Sequence, residues 1–124
     1  CDDGKMDAES VALAEALKVN RSLTVLRLGY NSISDAGAQA LADALKVNRH
    51  LTRVDLRVND DISDAGARAL AKALQFNTTI LDLDIDSTVP RRGMNRKIHT
   101  ALQRNKQLQR KRLEMMTFIL GLRM

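Results

Sequence analysis

One asparagine-led phrase returns at a fixed interval along this chain, and that interval constrains the fold more than any other feature. Asn20-Arg-Ser-Leu-Thr-Val-Leu-Arg-Leu28, Asn48-Arg-His-Leu-Thr-Arg-Val-Asp-Leu56 and Asn77-Thr-Thr-Ile-Leu-Asp-Leu-Asp-Ile85 align without gaps. The steps from Asn20 to Asn48 and from Asn77 to Asn105 are 28 residues, and the step from Asn48 to Asn77 is 29. The extra residue lies in Asn59-Asp60-Asp61, where the preceding unit has Asn31-Ser32. A period of this length marks a stacked-repeat architecture.

Each unit has two textures. Leu23 to Leu28 alternates, with Leu26 and Leu28 on one side and Val25 and Arg27 on the other, as in a short strand with one buried face. Ala40, Leu41, Ala44 and Leu45 follow at helical spacing, matched by Ala12, Leu13, Ala16, Leu17 and by Ala69, Leu70, Ala73, Leu74. Small alanines, together with Gly37 and Gly66, suit helices that approach closely. Asp7, Asp35 and Asp64 stand at helix starts, where a carboxylate accepts orphan N–H groups and suits the dipole. Asn20, Asn48, Asn77 and Asn105 stand at helix ends, where the left-handed conformation that asparagine tolerates is expected. No unit can bury its own apolar face, so the units must stack into a continuous core.

The pattern Leu23-x-x-Leu26-x-Leu28-x-x-Asn31, with Ile33-Ser-Asp-Ala-Gly37 and Ala40-Leu-Ala-Asp-Ala-Leu45, resembles ribonuclease-inhibitor-type leucine-rich repeats over roughly residues 7–105. That group includes ribonuclease inhibitor, Ran GTPase-activating protein, NOD-like receptor repeats and tropomodulin. The resemblance implies an α/β leucine-rich-repeat solenoid, a horseshoe segment with a short parallel sheet on the concave side, helices on the convex side and a C-terminal helical cap. The domain is expected to be single, 1–124, with repeats at about 1–22, 23–50, 51–79 and 80–107 and a capping helix at 95–120. The N-terminal helix has the pattern of an internal one, so the chain reads as the C-terminal end of a longer array. A whole small protein is the alternative.

The C-terminal end departs from the period. Pro90-Arg-Arg-Gly93 interrupts it, and Thr88 replaces Asn31 and Asn59. A strand at Leu108–Leu113 would put Lys111 in an aliphatic core, which an unpaired ammonium does not tolerate. The chain is expected to continue helically instead, laying Met115, Met116, Phe118, Ile119, Leu120 and Leu122 over the open end of the stack. The stretch Asn105-x-x-Leu108-x-Arg110-Lys-Arg-Leu113 is similar to the ending of tropomodulin-like repeat domains.

Two surfaces are candidates for function. The strands turn Val25, Arg27, Gly29 and Tyr30 outward, then Arg53, Asp55, Arg57 and Val58, then Asp82, Asp84, Asp86 and Ser87. Strands about 4.8 Å apart set Arg53 beside Asp82 and Arg57 beside Asp86, with a middle row of Arg27, Asp55 and Asp84. This is either a self-neutralised surface of weak ion pairs or a dock in which Tyr30 anchors and Asp82, Asp84 and Asp86 attract a basic partner. The second surface follows from charge. Residues 1–89 hold ten Lys/Arg and fourteen Asp/Glu, whereas residues 90–124 hold ten Lys/Arg and Glu114 alone. Arg91, Arg92, Arg96, Lys97, Arg104, Lys106, Arg110, Lys111 and Arg112 form a tract that is either solvated or drawn to a polyanion: nucleic acid, an anionic membrane or an acidic protein surface.

Catalysis finds no constellation here. His50 and His99 have no nucleophile in any motif. There is no phosphate-binding or dinucleotide-binding glycine pattern and no Cys/His cluster with zinc spacing. Three aspartates alternating along a strand lack the curled loop that wraps Ca²⁺. No metal, cofactor or membrane span is expected. Cys1 is the one cysteine, so no intrachain disulfide forms, which favours a reducing, intracellular and cytoplasmic setting in a eukaryotic cell. The expected function is a protein–protein interaction module with a partner of unknown identity and an undetermined oligomeric state. The alternatives are a regulatory segment of a GTPase activator or NOD-like receptor, and an actin-binding, tropomodulin-like module.

Overall fold

The computed structural model describes residues 7–59, 61–85 and 92–121, with side chains from residue 96 onward in the last stretch. Helices and strands alternate: α1 (Asp7–Val19), β1 (Val25–Arg27), α2 (Asp35–Val47), β2 (Arg53–Asp55), α3 (Asp64–Phe76), β3 (Asp82–Asp84) and α4 (Arg92–Leu120). The strands form one parallel sheet in the order β1-β2-β3. Its register is the one the repeat sets: Val25 opposite Arg53 opposite Asp82, and Arg27 opposite Asp55 opposite Asp84. The fold is the expected α/β solenoid.

The core lies between the sheet and the helix layer, and it is aliphatic. Leu17, Leu45 and Leu74 occupy one rung of equivalent positions and Leu26, Val54 and Leu83 another; all are buried. Between neighbouring helices the contacts are with small residues. Ala38 and Ala42 of α2 are fully buried, and so are Ala67 and Ala73 of α3. A Cβ on Gly66 would stand 2.5 Å from Asp35 Oδ1 and 2.8 Å from Ile62 Cγ2, so this position takes glycine because the preceding unit presses on it.

The polar residues of the repeat also reach between units. Asn77 is fully buried. Its Nδ2 donates to the carbonyls of Leu45 (2.8 Å) and Asn48 (2.9 Å) in the preceding unit, and its Oδ1 accepts the N–H groups of Thr79 (2.8 Å) and Ile80 (2.9 Å). Asn48 repeats the scheme on Leu17 O, His50 N and Leu51 N. The backbone at these asparagines is extended, with φ of −74° at Asn48 and −94° at Asn77, and not left-handed as expected. The residue is required for its side chain, which closes the helix end and ties two units together.

The aspartates at the helix starts serve the next helix along. Asp35 Oδ1 accepts Ser63 N at 2.7 Å and Gly66 N at 2.9 Å, and its Oδ2 accepts the Ser63 hydroxyl at 2.5 Å. Asp7 does the same for Ser34. A charge-assisted bond at a helix N-terminus satisfies orphan donors, but here the carboxylate comes from the neighbouring unit.

α4 begins as a normal member of the helix layer, with Ile98, Ala101 and Leu102 in the core and Asn105 buried. It then runs on through Leu120 without a fourth strand, as Lys111 requires. Its distal half does not cover the stack. Leu113, Met115, Met116, Phe118, Ile119 and Leu120 are exposed, Phe118 to 87%. The expected closure by these side chains is therefore corrected: the helix continues past Asn105 without turning back into a strand, and these side chains stay exposed. Pro90, Thr88 and Leu122 lie outside the described residues.

Candidate functional site

The concave face is built by the outward residues of three strands. Arg53 Nε lies 3.4 Å from Asp82 Oδ2, the neighbour its register dictates. Among the described residues Arg57 pairs chiefly with its own strand. Its Nε and Nη2 bond Asp55 Oδ1 and Oδ2 at 3.1 and 3.2 Å, and its Nε is 3.6 Å from Asp84. Asp86, its expected partner, lies outside the described residues. The cause is local: Arg57 N also donates to Asp55 Oδ1 at 3.0 Å, so the turn after β2 folds the guanidinium back over its own strand. These hydrogen bonds hold the Asp55 carboxyl below its usual range, with Arg27 adding a smaller attraction against the opposing effect of burial. The same pairing raises the Arg57 guanidinium.

The described concave ion pairs thus satisfy one another. Arg27, Arg53 and Arg57 face Asp55, Asp82 and Asp84 around a shallow groove of about 400 Å³. Such exposed pairs are screened by solvent and contribute little to stability. Tyr30 stands at one end of this face, 77% exposed. It sits at φ 62°, and its counterpart Val58 at φ 57°. The Tyr30 N–H donates to Arg57 O at 3.0 Å, which fixes the turn.

The cationic tract divides by role. Arg104 is a structural residue: its guanidinium bonds the carbonyls of Leu74 and Asn77 and the side-chain oxygen of Asn105. Arg96, Lys97, Lys106, Arg110, Lys111 and Arg112 are exposed. The side chains of Arg91 and Arg92 lie outside the described residues. Arg112 reaches back to Thr78 Oγ1 at 3.3 Å, which brings the tract against the rim where the helices end. That rim also carries Lys18, Arg21, Arg49 and His50 around a groove of about 360 Å³.

Sequence reasoning missed this continuity. The signal was available in the period, which aligns Arg21 with Arg49 and Lys106. It also missed the exposure of the helix end, because an apolar stretch next to an open stack invites the reading of a lid. Among the described residues no His/Cys/Asp/Glu group is arranged to hold a metal ion, and no helix is long and apolar enough to cross a membrane.

The model of the Leucine Rich repeat matches residues 19–42 and 47–71. No curated protein matches the chain. Among solved structures it is similar to Leiomodin-1 Actin-Binding Site 2, at 23% identity and a TM-score of 0.59, covering 95% of this chain and 84% of that one. It is also similar to the tropomodulin C-terminal domain of Caenorhabditis elegans, at 16% identity and a TM-score of 0.49, covering 87% and 82%. The repeat, its strand-and-helix unit and its register agree: residues 19–42 and 47–71 are leucine-rich repeats, consistent with units of the ribonuclease-inhibitor type, in a solenoid that is a protein-interaction module.

Proposed function

We propose that this module binds a partner protein through the projecting half of α4, with the concave face as a second contact, and that it is a binding protein rather than an enzyme, working inside the cell. The observation that carries the reading is the exposed run from Leu113 to Leu120, six large apolar side chains on the distal half of α4 that are each more than half exposed. A surface of that kind is a docking element more often than a solvated one. The cations Lys106, Arg110, Lys111 and Arg112 precede it, with Glu114 as the one acid in the run. The complementary partner is a protein with an apolar groove rimmed by carboxylates, the helix-in-groove mode of recognition. The self-paired concave face gives less support to an acidic dock centred on Asp82, Asp84 and Asp86.

A second reading is actin binding. The similar solved structure is an actin-binding site, that of Leiomodin-1, and its likeness spans nearly the whole of this chain. It would be the same surface with a named partner.

The test compares three proteins: the native chain, Met116→Asp/Phe118→Asp, and Tyr30→Ala/Asp82→Ala/Asp84→Ala. Binding is read by co-sedimentation with filamentous actin and by photocrosslinking from a benzophenone at position 119 in cell extract. The helix variant should lose at least tenfold in affinity and its crosslinked protein, since apolar anchors in such contacts contribute about 2 kcal/mol or more. Undiminished capture by that variant, with loss in the concave variant, would reverse the assignment. Retention on anionic vesicles or nucleic acid in place of a protein would replace it.

A further inference from the structure

The helix layer has four described members and the sheet has three. In the earlier units the chain leaves the asparagine and enters a strand: Asn20 leads to β1, Asn48 to β2 and Asn77 to β3. After Asn105 it stays helical, so among the described residues the place beside β3 has its helix and no strand. A groove of about 280 Å³ lies there, with Leu81 to Ile85 on one wall and Ile98, His99, Leu102 and Lys106 on the other. Its apolar lining, Leu83, Ile85, Ile98 and Leu102, is continuous with the core.

The wall formed by β3 is a strand edge. On β2 the outer edge bonds its neighbour through the carbonyl of Thr52, which accepts Leu81 N (2.8 Å), and through the N–H of Leu56, which donates to Asp84 O (2.7 Å). The equivalent groups of the last strand are the carbonyl of Leu81 and the N–H of Ile85. By the register of the sheet they face the groove. A row of main-chain donors and acceptors over an aliphatic floor is a template for an added strand.

We propose that this groove takes an extended basic–aliphatic–basic segment of a partner protein as a fourth strand. A second copy of this chain does not fit. Its β1 is joined to α1, and α1 would need the position that α4 already holds. Any unit that brings its own helix before its strand meets the same overlap, so the place suits a strand alone. The charge preference follows from the rungs already present. Arg53 lies against Asp82 and Arg27 lies opposite Asp55. The outward residues of an added strand fall beside Asp82 and Asp84, where cations continue the pattern and carboxylates are repelled. The residue between them turns toward Leu83, Ile98 and Leu102 and must be aliphatic.

The experiment uses the full chain and fluorescein-labelled nonapeptides in which Lys or Arg alternates with Leu or Val. Saturating peptide should slow hydrogen exchange at the Ile85 amide at least tenfold. Methylating the peptide nitrogens at every second position should abolish binding in one phase and leave it intact in the other, because only alternate amides face the edge. A Glu-for-Lys peptide should bind at least tenfold more weakly, and Asp82→Lys/Asp84→Lys should invert that preference. Equal tolerance of both methylation phases, or unchanged exchange at Ile85, would overturn the proposal. So would a charge preference that Asp82→Lys/Asp84→Lys leaves in place.

Discussion

The Arg104 guanidinium lies 2.9 Å from the side-chain oxygen of Asn105, the acceptor that Asn48 and Asn77 give to the N–H groups two and three residues further on. In α4 those N–H groups belong to the continuing helix, and arginine takes their place. The counterparts of Arg104 are Val19, Val47 and Phe76, side chains that could not do this. Arg104→Val should leave the Leu74 and Asn77 carbonyls and Asn105 short of donors, and destabilise by about 1–2 kcal/mol. Urea denaturation followed by circular dichroism measures it, and Arg110→Val, outside the repeat, should change stability by less than about 0.5 kcal/mol.

Asn77→Ala should be among the most damaging substitutions in the chain. It removes two donors and an acceptor from a site with no water access, and leaves Leu45 O, Asn48 O and two N–H groups unmet. The expected loss is about 3 kcal/mol or more. Asn20→Ala, at an exposed member of the same series, should lose about 1 kcal/mol. Equal losses at the two positions, in matched denaturation curves, would show that burial does not set the cost.

Gly66→Ala runs against helix propensity, which favours alanine by about 1 kcal/mol. The new methyl would overlap Asp35 Oδ1 and Ile62 Cγ2, and overpacking of this kind costs about 1–3 kcal/mol. Net destabilisation is expected, and a smaller one when Asp35→Ala is already present. A double-mutant cycle on thermal unfolding reads the difference.

Val58 holds a left-handed backbone that a β-branched residue resists. Val58→Asn should stabilise by up to about 1 kcal/mol, because asparagine visits that region more easily. A fall in melting temperature would contradict the strain assigned to this turn.

Asp55 links the concave face to pH. Its carboxyl is held below the unfolded value by the Arg57 hydrogen bonds. Its stabilising contribution is therefore present above the unfolded carboxylate pKa, near 3.9, and is lost as pH falls through the lower folded value. Carboxyl carbon NMR titration should place Asp55 below the ordinary aspartate value, and Arg57→Gln should move it upward.

The fold was legible because the signals were periodic. Alternation from Leu23 to Leu28, alanines and leucines at helical spacing, and Asn at 28-residue steps all specify one packing, and the register that placed Arg53 beside Asp82 followed from them. The pairing of Arg57 with Asp55 has a local cause, the turn after β2 in which Arg57 N bonds the same carboxylate. Sequence shows which residues share a rung but not which way a long side chain lies along it. The asparagines were placed correctly and explained wrongly, since a residue that tolerates a left-handed turn is the same one that can bond two carbonyls and two amides. Fate of the apolar stretch after Leu113 could not be read from composition. Whether such a helix folds back depends on a turn after Asn105, and Arg104 removes the need for one.

Each interior unit receives the same bonds from the unit before it and hands the same bonds to the unit after it. Nothing in those rungs distinguishes a second unit from a fifth, so the length of the array is not written into its interior. It is written at its border, in the exchange of a valine or phenylalanine for Arg104. Grafting that arginine and the helix behind it onto another array of this type is a way to choose where the array ends.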